Sequence, residues 1–339
     1  MRICFTATGS TRSTRPRLTT CPKLAALELL LIGTLTSTFV AVTERRAKRR
    51  EVQALKDFPP TGRLLTVNGA RVHAHTEGKG PDLVLLHGAS GNTREFTFHL
   101  VDRLKGDYRV TAFDRPGLGW SDPIPDGHDP RAQARHLQAA AAELGLTRPL
   151  VLGQSYGGAV ALGWALTAPD DTAGLVIVSG ASNPWPGTLG RWYQLTSSRI
   201  GRSAVIPLVT AFASHGQIVT TITEIFAPEA VPRGYTDYVG VPLTIRRLVL
   251  AENALQVNGL LPHVREMAPL YPGLDLPVEI VHGTADTIVP MDIHSEPLSR
   301  QIPGAVLTRL EGAGHMPHHT RPDDVIAAIH RAAARAGLR

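Results

Sequence analysis

The stretch from Pro149 to Ala168 constrains the fold more than any other part of the chain. Pro149 to Leu152 is a short apolar run suited to a buried strand. Ala159 to Ala168 is rich in Ala and Leu and suits a helix. Between them stands Gly153-Gln154-Ser155-Tyr156-Gly157, a single serine flanked at two residues on either side by glycine. A turn this sharp brings the strand and helix backbones almost into contact, which requires small residues at those two places. It also lifts the serine above the end of a sheet with its oxygen exposed.

The remaining chain repeats the same rhythm. Asp57-Phe58-Pro59-Pro60 marks a boundary. Arg63–Val67, the turn Asn68-Gly69 and Arg71–Thr76 read as an antiparallel hairpin. Strands are expected at Asp82–Leu86, Arg109–Phe113, Leu150–Leu152 and Leu175–Val178, alternating with helices at Thr93–Leu104 and Pro130–Leu144. The alternation stops at Asn183 and resumes with the strand Val278–Val281, a helix near His294–Gln301, the strand Val306–Leu310 and a helix from Pro322 to Ala336. Residues 183–272 read as helices broken by Pro and Gly, a cap inserted over the carboxyl edge of the sheet. The fold class is therefore α/β, a mostly parallel sheet with helices on both faces. The core comprises 60–182 and 273–338, with the cap at 183–272.

Charge divides the 339 residues unevenly. Residues 1–58 hold eleven Lys/Arg and four Asp/Glu, a balance of +7, and the rest hold 24 and 25, a balance of −1. The main body therefore carries no basic surface suited to nucleic acid. Both cysteines, Cys4 and Cys21, lie in the basic part, so the main body can build no disulfide, thiolate–zinc site or thiol nucleophile. After a basic leader (1–23), Leu24–Val42 is a 19-residue apolar run with one charge, Glu28. As a helix it spans about 28 Å, close to the thickness of the hydrocarbon core. A basic linker (43–59) follows. The expectation is a single transmembrane anchor, ahead of a cleaved signal peptide or a buried helix. Five basic residues precede the run and six follow it within 16 residues. The denser following cluster favours a cytoplasmic main body.

A serine nucleophile needs a base, and the base needs an orienting acid. In open α/β sheets ligands sit beyond the carboxyl ends of the strands. After Val278–Val281 comes His282-Gly283-Thr284-Ala285-Asp286, and after Val306–Leu310 comes Glu311-Gly312-Ala313-Gly314-His315. The candidate catalytic residues are Ser155, Asp286 and His315, in the chain order that this type of sheet uses. Asp292 is the rival acid, at the start of an expected helix, where a carboxylate is favoured for structural reasons. For the oxyanion, Gly88 lets the loop after the first parallel strand turn, so that the Ala89 N–H faces the site with the Tyr156 N–H as partner donor. Ser90 and Asn92 are either further contacts or helix caps. His87 reads as structural, His73 and His75 as exposed on the hairpin, and His318 and His319 as surface residues. The loop Asp114–Asp122 reads as loop architecture. No H-E-x-x-H spacing occurs, so no metal is expected, and the chemistry needs no cofactor.

The segments "HGASGN", "FDRPGLGWSD", "GQSYGG", "HGTADTIVP" and "GAGHMPHH" fall in order along residues 60–338. In this succession the chain resembles the α/β-hydrolase superfamily, and within it the capped bacterial serine esterases and cofactor-free haloperoxidase-like hydrolases. The resemblance implies an ester-like acyl substrate cleaved through an acyl-enzyme. Epoxide hydrolases and haloalkane dehalogenases have Asp where this chain has Ser155, which argues against an alkyl-enzyme. An acyltransferase, a C–C bond hydrolase or a small peptidase could use the same triad. A non-catalytic binding or scaffold protein is the alternative from another class. Trp185, Trp192, Tyr193 and Phe212 in the cap either line an apolar pocket or pack the cap on the core.

Overall fold

The computed structural model describes residues 22–187 and 190–339. The basic leader up to residue 21, with Cys4 and Cys21, lies outside the described residues. The chain divides into two compact units, Met1–Glu44 and Arg45–Arg339.

In the larger unit, β1 (Arg63–Val67), β2 (Ala70–Glu77), β3 (Asp82–Leu86), β4 (Arg109–Phe113), β5 (Leu150–Gln154), β6 (Gly174–Val178), β7 (Val278–Gly283) and β8 (Val306–Leu310) form one sheet. Their order is β1-β2-β4-β3-β5-β6-β7-β8. β2 pairs antiparallel with both β1 and β4, and every other pairing is parallel. The hairpin closes on Asn68 and Gly69 at φ 49° and 81°, the left-handed pair that a tight two-residue turn requires.

β3, β5, β6 and β7 are buried along their whole length, which is why their sequences are nearly continuous apolar runs. Successive side chains point to opposite faces. Val84, Leu86 and Val151 pack in one cluster with residues of the helices Pro130–Glu143, Tyr156–Thr167 and Arg247–Met267. Leu83, Leu85, Leu150 and Leu152 pack in the other with residues of Leu100–Leu104 and Pro322–Arg335.

The single helix expected over Thr93–Leu104 is two short ones, Arg94–Thr97 and Leu100–Leu104. They part at His99, whose φ of −150° leaves the helical region. From Arg191 to Gly273 the segment between β6 and β7 is mostly helical, the longest described helix being Arg247–Met267. That helix starts on a carboxylate from far away in sequence. Glu51 accepts from the Arg247 backbone N–H at 2.9 Å and from its guanidinium at 2.9 and 2.7 Å. Near the chain's amino end, one helix runs without a break from Pro22 to Asp57, through both the expected anchor and the residues read as a linker. Its portion Ala26–Asp57 has a mean hydropathy of 1.7 in its apolar stretch and is long and apolar enough to cross a membrane.

Candidate active site

β5 ends at Gln154 and the helix Tyr156–Thr167 begins one residue later, so Ser155 carries the whole turn. Its φ of 53° and ψ of −120° are costly for any residue with a side chain. The conformation is held from both sides. The Ser155 N–H donates to Val178 O at 3.0 Å, and its carbonyl accepts from Gly158 and Ala181 at 2.9 and 3.1 Å. The flanking glycines are forced by contact. A Cβ on Gly153 would stand 2.1 Å from Gly157 O, and one on Gly157 would stand 2.1 Å from Leu86 O.

Asp286 and His315 lie in the loops after β7 and β8. The loops are stitched together by Thr284 N–H to Leu310 O at 3.0 Å and Ala285 N–H to Ala313 O at 2.9 Å. His315 Nδ1 lies 2.8 Å from Asp286 Oδ2. The other carboxylate oxygen accepts from the N–H groups of Ile288 and Val289 at 2.9 and 3.0 Å. Burial alone would push this carboxyl's pKa up. The hydrogen bonds from His282 and His315, with that of the Val289 backbone, outweigh it and hold Asp286 well below the usual carboxylate range. Facing this ionised carboxylate, His315 Nδ1 is the donor of the pair. His315 Nε2 lies 3.5 Å from Gln154 Nε2, on the residue next to the serine. Ser155 Oγ itself makes no hydrogen bond among the described residues. Ser155, Asp286 and His315 are all buried. Asp292 is exposed and lies outside this network.

The loop His87–Asn92 packs directly on the elbow. A Cβ on Gly88 would come within 2.4 Å of Gln154 Oε1 and 3.0 Å of Ser155 Cβ. Tyr156 is the first residue of its helix, so its N–H has no intrahelical partner. The Ala89 N–H makes no hydrogen bond among the described residues. Ser90 faces the cap instead: its N–H donates to Asn253 Oδ1 at 2.7 Å, and its Oγ accepts from Asn253 Nδ2 at 3.0 Å. Asn92 Oδ1 accepts from Arg94 N–H at 2.9 Å, and its Nδ2 donates to Val239 O at 2.9 Å.

Two residues of the Asp114–Asp122 loop grip the His87–Asn92 loop, a role that sequence reasoning missed. Asp114 accepts from the N–H groups of Thr93 at 2.6 Å and Trp120 at 2.7 Å and bonds His73 Nδ1 at 2.7 Å. His73, expected to be exposed, is buried because it is the partner of this buried carboxylate, and His75 is half-buried. Arg115 is fully buried and meets no carboxylate among the described residues. It donates to His87 O at 2.7 Å, Gly88 O at 3.0 Å, and the side-chain oxygens of Gln133 and Gln256 at 2.8 Å each. Its guanidinium also stacks 4.3 Å from the Tyr156 ring centroid. Burial lowers its pKa to about 10, so it stays charged. His87 accepts the Arg115 N–H on Nε2 at 3.0 Å and places Nδ1 2.9 Å from Gly88 O, which is a structural arrangement.

His318 and His319 are a second correction. Both are buried beside Glu95, whose carboxylate lies 3.3 Å from His319 Nε2 and accepts the Tyr235 hydroxyl at 2.8 and 2.9 Å. The signal in the sequence was their place in "GAGHMPHH", directly behind His315, where the chain turns back into the core. His282 was also missed as a partner of Asp286. Its Nε2 stands 3.1 Å from Asp286 Oδ2 and 2.8 Å from Val289 O, while Nδ1 lies 2.6 Å from Ser295 Oγ. In the cap, Trp185 and Tyr193 pack against the core, whereas Trp192 and Phe212 are exposed.

The sheet order, the elbow and the loops beyond it agree with one family. The pattern described as "Alpha/beta hydrolase family" matches residues 83–328. The chain belongs to the alpha/beta hydrolase family. Among curated relatives, an uncharacterized protein of Mycobacterium bovis is 27% identical over 86% of this chain and 85% of its own. The pimeloyl-[acyl-carrier protein] methyl ester esterase of Aliivibrio salmonicida is 28% identical over 76% of this chain and 93% of its own. Among solved structures, a bacterial membrane phospholipase A superposes with a TM-score of 0.64 at 21% identity, covering 94% of this chain and 98% of its own.

Proposed function

We propose that this hydrolase cleaves an ester-like acyl bond through a Ser155–His315–Asp286 triad. The observation that carries the reading is the Nδ1–carboxylate pair of His315 and Asp286 at 2.8 Å, placed beyond the same sheet edge as a serine held at φ 53°. His315 Nε2 takes the Ser155 proton as Oγ attacks the carbonyl carbon. The N–H groups of Ala89 and Tyr156 stabilise the oxyanion, and protonated His315 then passes its proton to the leaving group. Water, deprotonated by the same imidazole, attacks the acyl-enzyme and frees the acid and Ser155. Asp286 fixes the tautomer and stabilises the imidazolium. The machinery uses only side chains and backbone amides, in keeping with the capped serine esterase branch, and an esterase stands among the relatives.

The reading also includes a membrane anchor formed by Leu24–Val42 with the main body on the cytoplasmic side. Its support is the length and apolarity of the helix and the basic residues that follow it.

The test is hydrolysis of p-nitrophenyl esters of short to medium chain length by the full chain in detergent, beside Ser155→Ala, with fluorophosphonate labelling of both. Burst release and labelling that vanish in Ser155→Ala support the acyl-enzyme route. A folded wild-type chain that neither labels nor turns over any ester rejects it and favours a binding role.

A further inference from the structure

The cap turns an uncharged edge outward. Between Arg202 and Glu224 the chain has 21 consecutive residues without Asp, Glu, Lys or Arg. Water-facing surfaces are normally about a quarter to a third charged. The run is nevertheless not buried as a whole. Leu208, Phe212 and Val219 are 37, 42 and 38% exposed, and neighbouring Ile200 is 73% exposed. These residues sit on or just before the helical stretches Gly201–Phe212 and His215–Phe226, which are bent by 103° across a short break. The inward positions Ile206, Ala211, Ile222 and Phe226 are buried. Each stretch is thus two-sided, with an outer face that is apolar or neutral where a soluble cap would be charged.

The chain itself indicates what covers this face. Arg46 Nε donates to Ala211 O at 2.7 Å, and Arg50 Nη1 donates to Ala211 O and Ala213 O at 3.2 and 2.9 Å. These carbonyls close the last turn of the helix Ile206–Phe212, where no intrahelical partner exists. Arg46 also lies 5.0 Å from the Phe212 ring centroid. The bend is therefore pinned to Arg46, which stands four residues after Val42, the last residue of the apolar run. Four residues reach at most about 14 Å, and about 6 Å in a helix. On the anchor reading, this short tether keeps the bend close to the leaflet that adjoins Val42. Arg45, Lys48 and Arg49 in the helix that holds the bend, and Arg199 and Arg202 on the cap, are exposed cations.

The geometry points to a second membrane contact. The outer face of the cap bend lies in the headgroup–acyl boundary of the leaflet adjoining Val42, with Ile200, Leu208, Phe212 and Val219 toward the acyl chains and the exposed cations on anionic headgroups. This inference rests on the membrane-anchor reading above.

The experiment keeps the two separable. The full chain, with Cys4→Ser and Cys21→Ser, is placed in nanodiscs of phosphatidylcholine and phosphatidylglycerol. Single cysteines at Ile200→Cys, Leu208→Cys or Val219→Cys carry an NBD fluorophore, and circular dichroism verifies folding. Ser37→Cys reports the anchor, and Lys79→Cys, exposed between β2 and β3 at the opposite edge of the sheet, reports the aqueous level. Quenching is read with lipids bearing a doxyl group high or low on the acyl chain. The expected result is quenching of Ser37→Cys by the deep group, and quenching of the three cap sites by the shallow group several-fold above Lys79→Cys. Cap sites at the Lys79→Cys level, with Ser37→Cys quenched, overturn the cap contact and leave the anchor standing. No quenching at Ser37→Cys overturns the anchor and the inference with it.

Discussion

Arg115 Nη2 donates to the carbonyl of Gly88 at 3.0 Å, from a guanidinium with no exposed surface. In a trans peptide the carbonyl and the following N–H point in opposite directions. Tying Gly88 O to Arg115 therefore aims the Ala89 N–H the other way, away from the arginine. The buried charge sets the direction of a proposed oxyanion donor without touching the substrate. Arg115→Met should lower kcat about 100-fold, the scale of one lost oxyanion donor, with KM within about threefold. Arg115→Lys should recover part of kcat, since one ammonium cannot match the fork that spans His87 O and Gly88 O. Rates normalised to the fluorophosphonate-reactive fraction provide the check. A raised KM with unchanged kcat would show that Arg115 does not act through the Ala89 N–H.

The elbow stores strain that the proposed chemistry uses and stability does not need. Ser155→Gly removes the proposed nucleophile and the cost of φ 53° together. Relief of such strain is worth about 1–3 kcal/mol, and the extra freedom of glycine in the unfolded chain takes back about 0.5–1 kcal/mol. The variant should be inactive yet more stable by about 1 kcal/mol, seen as a higher denaturation midpoint in detergent. A lower midpoint would mean that the Ser155 side chain contributes packing that outweighs the strain.

Gly157 gives the opposite expectation. A Cβ there meets backbone atoms of Leu86 and His87 at 2.1 to 2.8 Å, and neither strand nor loop can yield that distance. Gly157→Ala should cost at least about 3 kcal/mol, at the upper end of overpacking. Labelling should fall with the folded fraction in a denaturant titration. Native stability in Gly157→Ala would show that the strand–helix crossing is looser than these contacts.

The two candidate acids separate cleanly. Asp286→Asn removes the acceptor for His315 Nδ1 and should lower kcat by about 10⁴-fold. Asp292→Asn changes an exposed residue outside the network and should leave kcat within about twofold. Paired kinetics of the two variants decide the assignment, and the reverse order would move the acid to Asp292.

The parts legible in the sequence were those that local pattern specifies. The runs Asp82–Leu86 and Val278–Val281 had to be interior strands, and Gly153 and Gly157 had to flank a crowded turn. Asp286 and His315 could be named because each closes a loop just past such a strand. The parts not legible depend on partners far away in sequence. Arg115 sits in a loop whose Gly and Pro content is explained by turning alone, and its role appears only when Gln256 and the His87–Gly88 carbonyls surround it. His73, His318 and His319 look like surface residues because histidine usually is half-exposed. Asp114 and Glu95, 41 and 224 residues from His73 and His319 in sequence, make their burial affordable. The cap was legible as helical but not in its orientation, since the same run of apolar residues suits an inner or an outer face.

Three buried histidines make stability depend on pH. Burial lowers His87, His294 and His318 to about 4 each, with the Arg115 charge adding to it at His87, His282 at His294 and His319 at His318. Once unfolded, the same side chains take up protons near 6.5. The unfolded chain therefore binds more protons between pH 6.5 and about 4, and stability must fall as pH drops through that window. The contribution is whole above 6.5 and fully lost below about 4. Each proton difference is worth about 1.4 kcal/mol per pH unit. Denaturant unfolding of the full chain in detergent at pH 7.5, 5.5 and 4.5 should show a progressive loss. In His318→Gln the slope should be shallower by about one proton, because the ring beside Glu95 and His319 no longer titrates. An unchanged slope in that variant would mean that His318 is already charged in the folded protein, paired with the Glu95 carboxylate.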